Sequence, residues 1–376
     1  MDDKCFFFAG GGTGGHIYPA IAVAEQLLLI EPKAKIRFFC STRDIDSRIL
    51  SNTDFKFTKL SARGFTVRPG GFIHFCGSFR SSYKSAKKTI LENRNSVVIG
   101  AGGFVSAPVC LAAKIHGIPI GLLNVDILPG KANRILARWA DEIFVQFEQT
   151  KKFFTRTKAV VNVAGCPLRS GFINPQPQRA VERLNLEKGK KILLITGASS
   201  GSENINKAMC LLLKKLDTFK DNWQIVHLAG RNNHERVQNN YKEAAISHKV
   251  IGYYDDMADL LTAADLVIGR SGAVSVAEFA AAAVPSICMP YPYHKDRHQY
   301  LNAGVLVDAG AAIIVDDLHD DNQRAQSLWQ VLEELIKDQA KRRQMAQSCE
   351  KIAKPQAASA IAQKLIGLLD NKRHTQ

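Results

Sequence analysis

The chain has 376 residues, 46% hydrophobic and 23% charged, which are the fractions of an ordinary soluble globular protein. Its length exceeds the ~250–300 residues at which one hydrophobic core stops growing, so two domains are expected. The net charge of +15 favours anionic partners, whether nucleic acid, acidic lipid or phosphorylated substrate. No segment approaches the ~20 apolar residues of a membrane span, and Met1-Asp2-Asp3-Lys4 is too acidic to open a signal peptide. Eight cysteines are scattered singly without a CxxC pair, which argues against zinc or a disulfide framework and for a reducing cytosol.

In chain order, the apolar run Cys5-Phe6-Phe7-Phe8 predicts a strand that breaks into Ala9-Gly10-Gly11-Gly12-Thr13-Gly14-Gly15-His16 and enters a helix from about Pro19 to Leu29. Glycines let backbone N–H groups approach an anion, and the helix start adds partial positive charge. Lys35 to Cys40 predicts a second strand. A dinucleotide site expects an acidic residue at its end, whereas this strand runs into Ser41-Thr42-Arg43, with Asp44 slightly late.

Residues 61–90 carry Arg63, Arg68, Arg80, Lys84, Lys87 and Lys88 without a single Asp or Glu. Phe72, Phe75, Phe79 and Tyr83 recur at helical spacing among them. The stripe fits either a core-facing helix with a solvated basic back or an interfacial patch for anionic lipid. No nucleic-acid motif accompanies it.

Ser96 to Gly100 predicts a buried strand opening into Ala101-Gly102-Gly103-Phe104-Val105-Ser106-Ala107-Pro108, followed by a helix to His116. Another strand ends at Leu123-Asn124-Val125-Asp126, and Lys131–Trp139 reads as helix. Strands at Glu142–Gln146 and Val160–Gly165 complete this half. The polar, proline-interrupted segment 173–178 is the linker candidate. The plan then restarts, with strands at 191–196, 223–228, 248–251, 265–268 and 286–289, and helices filling 324–370. Strand–helix alternation twice over predicts an α/β protein of two doubly wound Rossmann-like domains facing a cleft. Their expected limits are residues 1–168 and 169–355, with a helix at 356–376 returning to the first domain.

Four places carry candidate chemistry. His16 closes the first loop, where it can serve as general base or steady a phosphate, and Asp126 is a second possible base. Gly269-Arg270-Ser271-Gly272-Ala273 reads as a second anion loop, with Ser271 and Ser275 hydroxyls toward phosphate. Glu278, about two turns into the following helix, can accept both hydroxyls of a ribose. The loop Pro290 to Gln299 offers His298 and Gln299 for sugar hydroxyls.

Four of these stretches together resemble the MurG family, the peptidoglycan N-acetylglucosaminyltransferases of glycosyltransferase family 28. They are Gly11-Gly12-Thr13-Gly14-Gly15-His16-Ile17-Tyr18-Pro19-Ala20, Gly100 to Pro108, Arg270 to Glu278, and Asp296-Arg297-His298-Gln299-Tyr300-Leu301-Asn302-Ala303, spread over essentially the whole chain. The resemblance implies the GT-B fold. It implies inverting transfer of GlcNAc from UDP-GlcNAc to the muramoyl 4-hydroxyl of lipid I, giving lipid II in cell-wall synthesis. It also implies that Thr13, Gly14 and Gly15 serve the donor sugar and acceptor, while Gly12, Gly102 and Gly103 serve the acceptor diphosphate. Arg169 and Ser199 would contact UDP and Tyr254 would present backbone to uracil. Gly272, Ala273, Val274 and Ser275 would cradle the diphosphate, and Glu278 would hold the ribose. No cofactor and no obligatory metal are implied. The enzyme is expected peripherally on the cytoplasmic face of the cell inner membrane, docked through Phe72, Phe75, Phe79, Tyr83, Lys84, Lys87 and Lys88, with no nucleic-acid partner.

The chain departs from the family at Leu123-Asn124-Val125-Asp126, where His-Glu-Gln-Asn is common. Asp126 takes the place of a sugar-contacting asparagine, and Asn124 that of a glutamate. A carboxylate there accepts hydrogen bonds without donating, so donor choice and the base, His16 or Asp126, stay open. Alternatives are another UDP-GlcNAc-using transferase or epimerase, a nicotinamide-binding oxidoreductase, and a non-catalytic UDP-sugar-binding protein.

Overall fold

The computed structural model describes residues 3–12, 14–64, 71–198 and 201–373, with side chains to residue 370. The chain forms two compact units, Met1–Ser170 with Pro355–Gln376, and Gly171–Lys354.

The first unit is a seven-stranded sheet: β1 (Cys5–Gly10), β2 (Lys35–Ser41), β3 (Lys56–Leu60), β4 (Ser96–Gly102), β5 (Ile120–Asn124), β6 (Glu142–Val145) and β7 (Val160–Val163). The order is β3-β2-β1-β4-β5-β6-β7, every pair parallel. β1 is an interior strand and wholly buried, so its period-2 alternation feeds two cores. Phe6 and Phe8 join Ile17, Ile21 and Leu27 of helix Gly14–Ile30 on one face. Cys5, Phe7 and Ala9 join Ala86 and Ile90 of helix Gly71–Leu91 and Val109 of helix Ser106–Ile115 on the other.

The last helix, Ala357–Arg373, packs against helix Gly14–Ile30. Ile361, Ala362, Leu365 and Leu369 fall on one helical face and are buried in the first unit's core. A Cβ on Gly121 of β5 would lie 2.8 Å from Leu365, so the strand is bare where this helix crosses it.

Helix Gly14–Ile30 begins five residues earlier than its apolar pattern suggests and contains Pro19. Proline has no N–H to give, but this early in a helix it forfeits a single backbone bond. β3 went unread because its burial is mixed and a lysine sits at each end of Lys56-Phe57-Thr58-Lys59.

The second unit is a six-stranded sheet: β8 (Lys191–Thr196), β9 (Trp223–Leu228), β10 (Ser247–Ile251), β11 (Leu266–Gly269), β12 (Ser286–Cys288) and β13 (Ala312–Ile314). Its order is β10-β9-β8-β11-β12-β13, again parallel throughout. The core holds β8 and β9 against Met209 and Leu212 of helix Glu203–Leu216 and Leu328, Leu332 and Leu335 of helix Asp321–Lys337. Inside it His227 hydrogen-bonds Tyr241 Oη and Asn206 Oδ1, both at 2.9 Å. Burial drives its pKa down to about 3, so the ring is neutral.

Residues 173–178 are not a linker. Gln176 N–H donates to Asp259 Oδ1 at 2.6 Å, and helix Pro177–Arg183 packs on helix Met257–Ala263, so the segment belongs to the second unit. Proline sits at that helix's first positions, where its missing N–H is harmless.

Candidate active site

Both sheets reverse direction between their first strand and the strand beside it: β1 and β4 in one unit, β8 and β11 in the other. Loops leaving the carboxyl ends of such strands are where open α/β sheets bind ligands.

In the first unit, the loops after β1 and β4 interlock. A Cβ on Gly103, at φ +79°, would lie 2.5 Å from Gly11 O, and one on Gly102 would lie 3.0 Å from the His16 ring. Only bare backbone lets His16 sit against the β4 loop. Ser106, the first residue of helix Ser106–Ile115, is buried with its Oγ 2.7 Å from Ala9 O and 2.8 Å from Gly102 O, which ties the two loops together.

His16 Nδ1 lies 3.0 Å from Gly11 O. A carbonyl oxygen only accepts, so Nδ1 carries the hydrogen, which in the neutral ring leaves the lone pair on Nε2. That is the tautomer a general base needs.

Gly12 was expected to turn its N–H toward an anion, and the structure corrects this. The Gly12 N–H donates to Asp46, at 2.9 and 3.0 Å from its two carboxylate oxygens. Asp46 is fully buried and also accepts from the Ser41 N–H at 3.0 Å and the Ser41 hydroxyl. Arg43 Nη1 donates to Gly12 O at 2.8 Å. The carboxylate sought at the end of β2 therefore exists five residues later, in helix Asp44–Ser51, where it braces the loop. Gly102 ends β4 and its N–H donates to Ser106 Oγ at 3.1 Å, so it too is occupied within the fold, while Gly103 follows it ahead of helix Ser106–Ile115. Gly14 and Gly15 open helix Gly14–Ile30.

Asn124 also departs from expectation. It is buried, its Nδ2 donates to Asp126 O at 2.7 Å, and its Oδ1 accepts from Asn133 Nδ2 at 3.1 Å. Its amide shapes the 124–133 loop from inside and is not presented to a sugar. Asp126 is half-buried on that loop. Arg169 places its guanidinium 5.1 Å from the Tyr18 ring centre, within the first unit. Burial raises the Glu25 carboxyl above its usual range, and Arg169 partly offsets that.

In the second unit a buried arginine does the tying. Arg270, just after β11, donates from Nη1 to Met289 O at 2.8 Å, and from Nη2 to Ser202 Oγ at 2.8 Å and Asp317 Oδ2 at 2.7 Å. Asp317, with a fully buried carboxylate, also receives Arg324 Nε at 2.6 Å and Asn204 Nδ2 at 2.9 Å. One carboxylate thus fixes the loops that follow β8, β11 and β12.

Ser271 is a further correction. It is fully buried, and its hydroxyl donates to Gln299 O at 2.9 Å, so it joins two loops where a phosphate contact was expected. Gly272 caps helix Ala273–Ala281. Val274, Ser275 and Glu278 are half-buried and share one face of that helix, at i, i+1 and i+4, while Ala273 and Val276 turn inward. A first-turn hydroxyl at a helix N-terminus with a carboxylate one turn on suits a phosphate and a vicinal diol. Tyr254 is half-buried after β10, its phenol pushed above the usual range by burial and Asp256.

The loop after β12 closes on itself. Gln299 Oε1 accepts the Tyr291 N–H at 2.9 Å, the Arg297 N–H donates to His294 O at 3.0 Å, and Arg297 takes a left-handed φ of +49° ahead of helix His298–Asp308. His298 Nδ1 lies 2.7 Å from Asp296 Oδ1. Although burial alone would raise it, hydrogen bonding from His298 holds the Asp296 carboxyl below the usual range. Thr13, Ser199 and Arg68 lie outside the described residues.

The aromatic stripe on helix Gly71–Leu91 divides. Ser82, Ala86 and Ile90 are its buried face, and Tyr83 packs against the core, which removes that residue from any docking surface. Phe72 is 64% and Ile73 75% exposed, and Lys84 and Lys88 are exposed behind them. Phe75 and Phe79 are half-buried, with ring centres 5.9 Å apart, and Lys87 is half-buried. No described helix is long and apolar enough to cross a membrane.

Two parallel, doubly wound units with phosphate-type loops at their switch points are the GT-B pattern. A model of the glycosyltransferase family 28 N-terminal domain matches residues 6–145, and one of the glycosyltransferase family 28 C-terminal domain matches residues 192–363. The chain belongs to glycosyltransferase family 28. A UDP-N-acetylglucosamine--N-acetylmuramyl-(pentapeptide) pyrophosphoryl-undecaprenol N-acetylglucosamine transferase of Halothermothrix orenii is 35% identical over 366 residues, covering 94% of this chain and 96% of that protein. The crystal structure of Acinetobacter baumannii MurG matches with a TM-score of 0.74 at 26% identity, covering 98% of this chain and 100% of that one. The UDP-GlcNAc 2-epimerase of Neisseria meningitidis, bound to UDP-GlcNAc, matches with a TM-score of 0.68 at 16% identity over 97% and 100% of the two chains, a likeness of fold alone. Family membership sets aside the nicotinamide-binding oxidoreductase.

Proposed function

We propose that the protein transfers N-acetylglucosamine from UDP-GlcNAc to the muramoyl hydroxyl of a polyprenyl-diphosphate-linked acceptor, converting lipid I to lipid II. The names of its family 28 relatives support this reading. The observation that carries the chemistry is the fixed tautomer of His16, whose Nδ1–H is spent on Gly11 O.

In this mechanism His16 Nε2 takes the proton of the acceptor hydroxyl as its oxygen attacks the anomeric carbon. The anomeric carbon–phosphate oxygen bond breaks, UDP leaves with the electron pair, and the anomeric configuration inverts. A positioned base contributes about 10²–10⁴ in rate. UDP belongs to the second unit: Glu278 accepts the ribose hydroxyls, the start of helix Ala273–Ala281 and Ser275 face the diphosphate, and Tyr254 offers backbone to uracil. Helix dipole and backbone donors stabilise the departing charge. His298 and Gln299 lie at the GlcNAc. Asp126 is a sugar contact, and Gly103 receives the acceptor diphosphate ahead of helix Ser106–Ile115. No divalent ion is required in this scheme, so transfer is expected to persist in EDTA.

The acceptor's lipid places the enzyme peripherally on the cytoplasmic membrane face. Phe72 and Ile73 enter the headgroups there, and Lys84 and Lys88 cover anionic lipid. The test is incubation of the full-length protein with radiolabelled UDP-GlcNAc and lipid I. Label moving into a lipid-extractable disaccharide product is expected. A folded, UDP-binding protein that leaves the label in UDP-GlcNAc or releases it as free sugar would overturn the assignment.

A further inference from the structure

We propose that His294, Asp296 and His298 form a binding site for one divalent transition ion of the zinc class. One ligand atom from each residue lies within 4.8 Å of the other two. Donors around a tetrahedral zinc sit about 3.3 Å apart, given bonds of roughly 2.0–2.1 Å, so modest side-chain rotation closes the site. The loop is already shaped for this. The Arg297 N–H to His294 O bond and the left-handed Arg297 bring the first and last ligands to the same side of a turn. His294 and His298 have ring centres only 4.3 Å apart.

The donor set decides the metal. Two imidazoles and one carboxylate suit zinc, cobalt or nickel, whereas magnesium and calcium take oxygen ligands. Lys295 and Arg297 flank the site and oppose any ion bound by charge alone, which again favours one that bonds to nitrogen. Both His294 and Asp296 are exposed, so an ion has a route in and water can complete its shell. Binding replaces the proton that His298 Nδ1 shares with Asp296, turning an orienting pair into two ligands. A consequence that rests on the proposed function is that the ion withdraws His298 from the donor sugar and slows transfer.

The experiment is cobalt titration of tag-free, full-length protein, read by visible absorption. One equivalent giving a nitrogen–oxygen spectrum is expected, and zinc should displace it. His294→Ala should weaken binding at least about tenfold, the loss that even an outer-shell partner carries at metal sites, with UDP affinity and circular dichroism unchanged. Zinc should inhibit transfer by the wild type and spare His294→Ala. Equal cobalt affinity in His294→Ala, or an intense thiolate band from a cysteine, would overturn the site. Tight binding with no effect on transfer would leave the site standing and overturn its link to the donor sugar.

Discussion

The loops after β1 and after β11 both leave strands at the switch point of sheets with the same winding, yet they are braced by opposite charges. The first is held from beneath by a buried carboxylate, Asp46, on the Gly12 N–H. The second is held by a buried guanidinium, Arg270, which reaches the loops after β8 and β12. A carboxylate under a loop disfavours a second anion there and consumes the N–H that would bind it. A guanidinium tied to Asp317 braces the loop that leads into helix Ala273–Ala281 without placing a carboxylate beneath the Gly272 N-cap. The proposed placement of the nucleotide in the second unit follows this difference in the buried brace rather than the winding, which the two sheets share.

The largest expected effect follows from removing the second brace. Asp317→Ala leaves the buried Arg270 guanidinium without its carboxylate and the buried Arg324 with Asp321 alone. Breaking a buried pair in this way costs about 3–5 kcal/mol, a large share of the ~5–15 kcal/mol of a typical domain. Denaturant unfolding followed by tryptophan fluorescence should show the second unit melting much earlier. A shift no larger than a surface pair would give shows the brace to be incidental.

Acid should also act on the second unit. The folded pKa of His227, about 3, lies below its ordinary value of 6.5, so between those values the unfolded chain binds the extra proton. Stability is therefore present above about pH 6.5 and is lost as pH falls from there toward 3. A His227→Gln variant should flatten the dependence of unfolding midpoint on pH in that window. An unchanged slope would assign the acid sensitivity to other groups.

Glu278→Ala should weaken UDP binding by about 10- to 100-fold, the ~1.5–3 kcal/mol of hydrogen bonds to a charged group, measured by calorimetry. Unchanged affinity would move the ribose elsewhere. The smallest effect is expected for Asp126→Asn, within roughly threefold on kcat, since it keeps an acceptor oxygen for the sugar and loses none of the base. A loss near 10²–10⁴ would instead mark Asp126 as the base.

How far the sequence carries the reader depends on how local each contact is. Buried parallel strands read directly, because β1, β4, β8 and β9 are short apolar runs punctuated by glycine or turn residues. His16 was legible because it closes its own loop. Asp46 was not, since it meets Gly12 across 34 residues and sits in a helix of only 8 residues. The Arg270–Asp317 pair spans 47 residues. Ser271 and Asn124 have polar side chains that look ready for ligand, and only the fold shows them occupied by Gln299 O and by Asp126 O. The docking stripe misled at Tyr83 for the opposite reason: a helical period says which residues share a face and not which face is covered.

The central claim is that the first unit's loop does acid–base chemistry and the second unit's loops hold the nucleotide. The most direct test is His16→Ala in full-length protein, assayed for both transfer rate and UDP affinity. The account predicts that kcat falls by about 10²–10⁴ while the calorimetric Kd for UDP stays at the wild-type value. A retained kcat, or a loss of UDP affinity as large as the loss of rate, would contradict it.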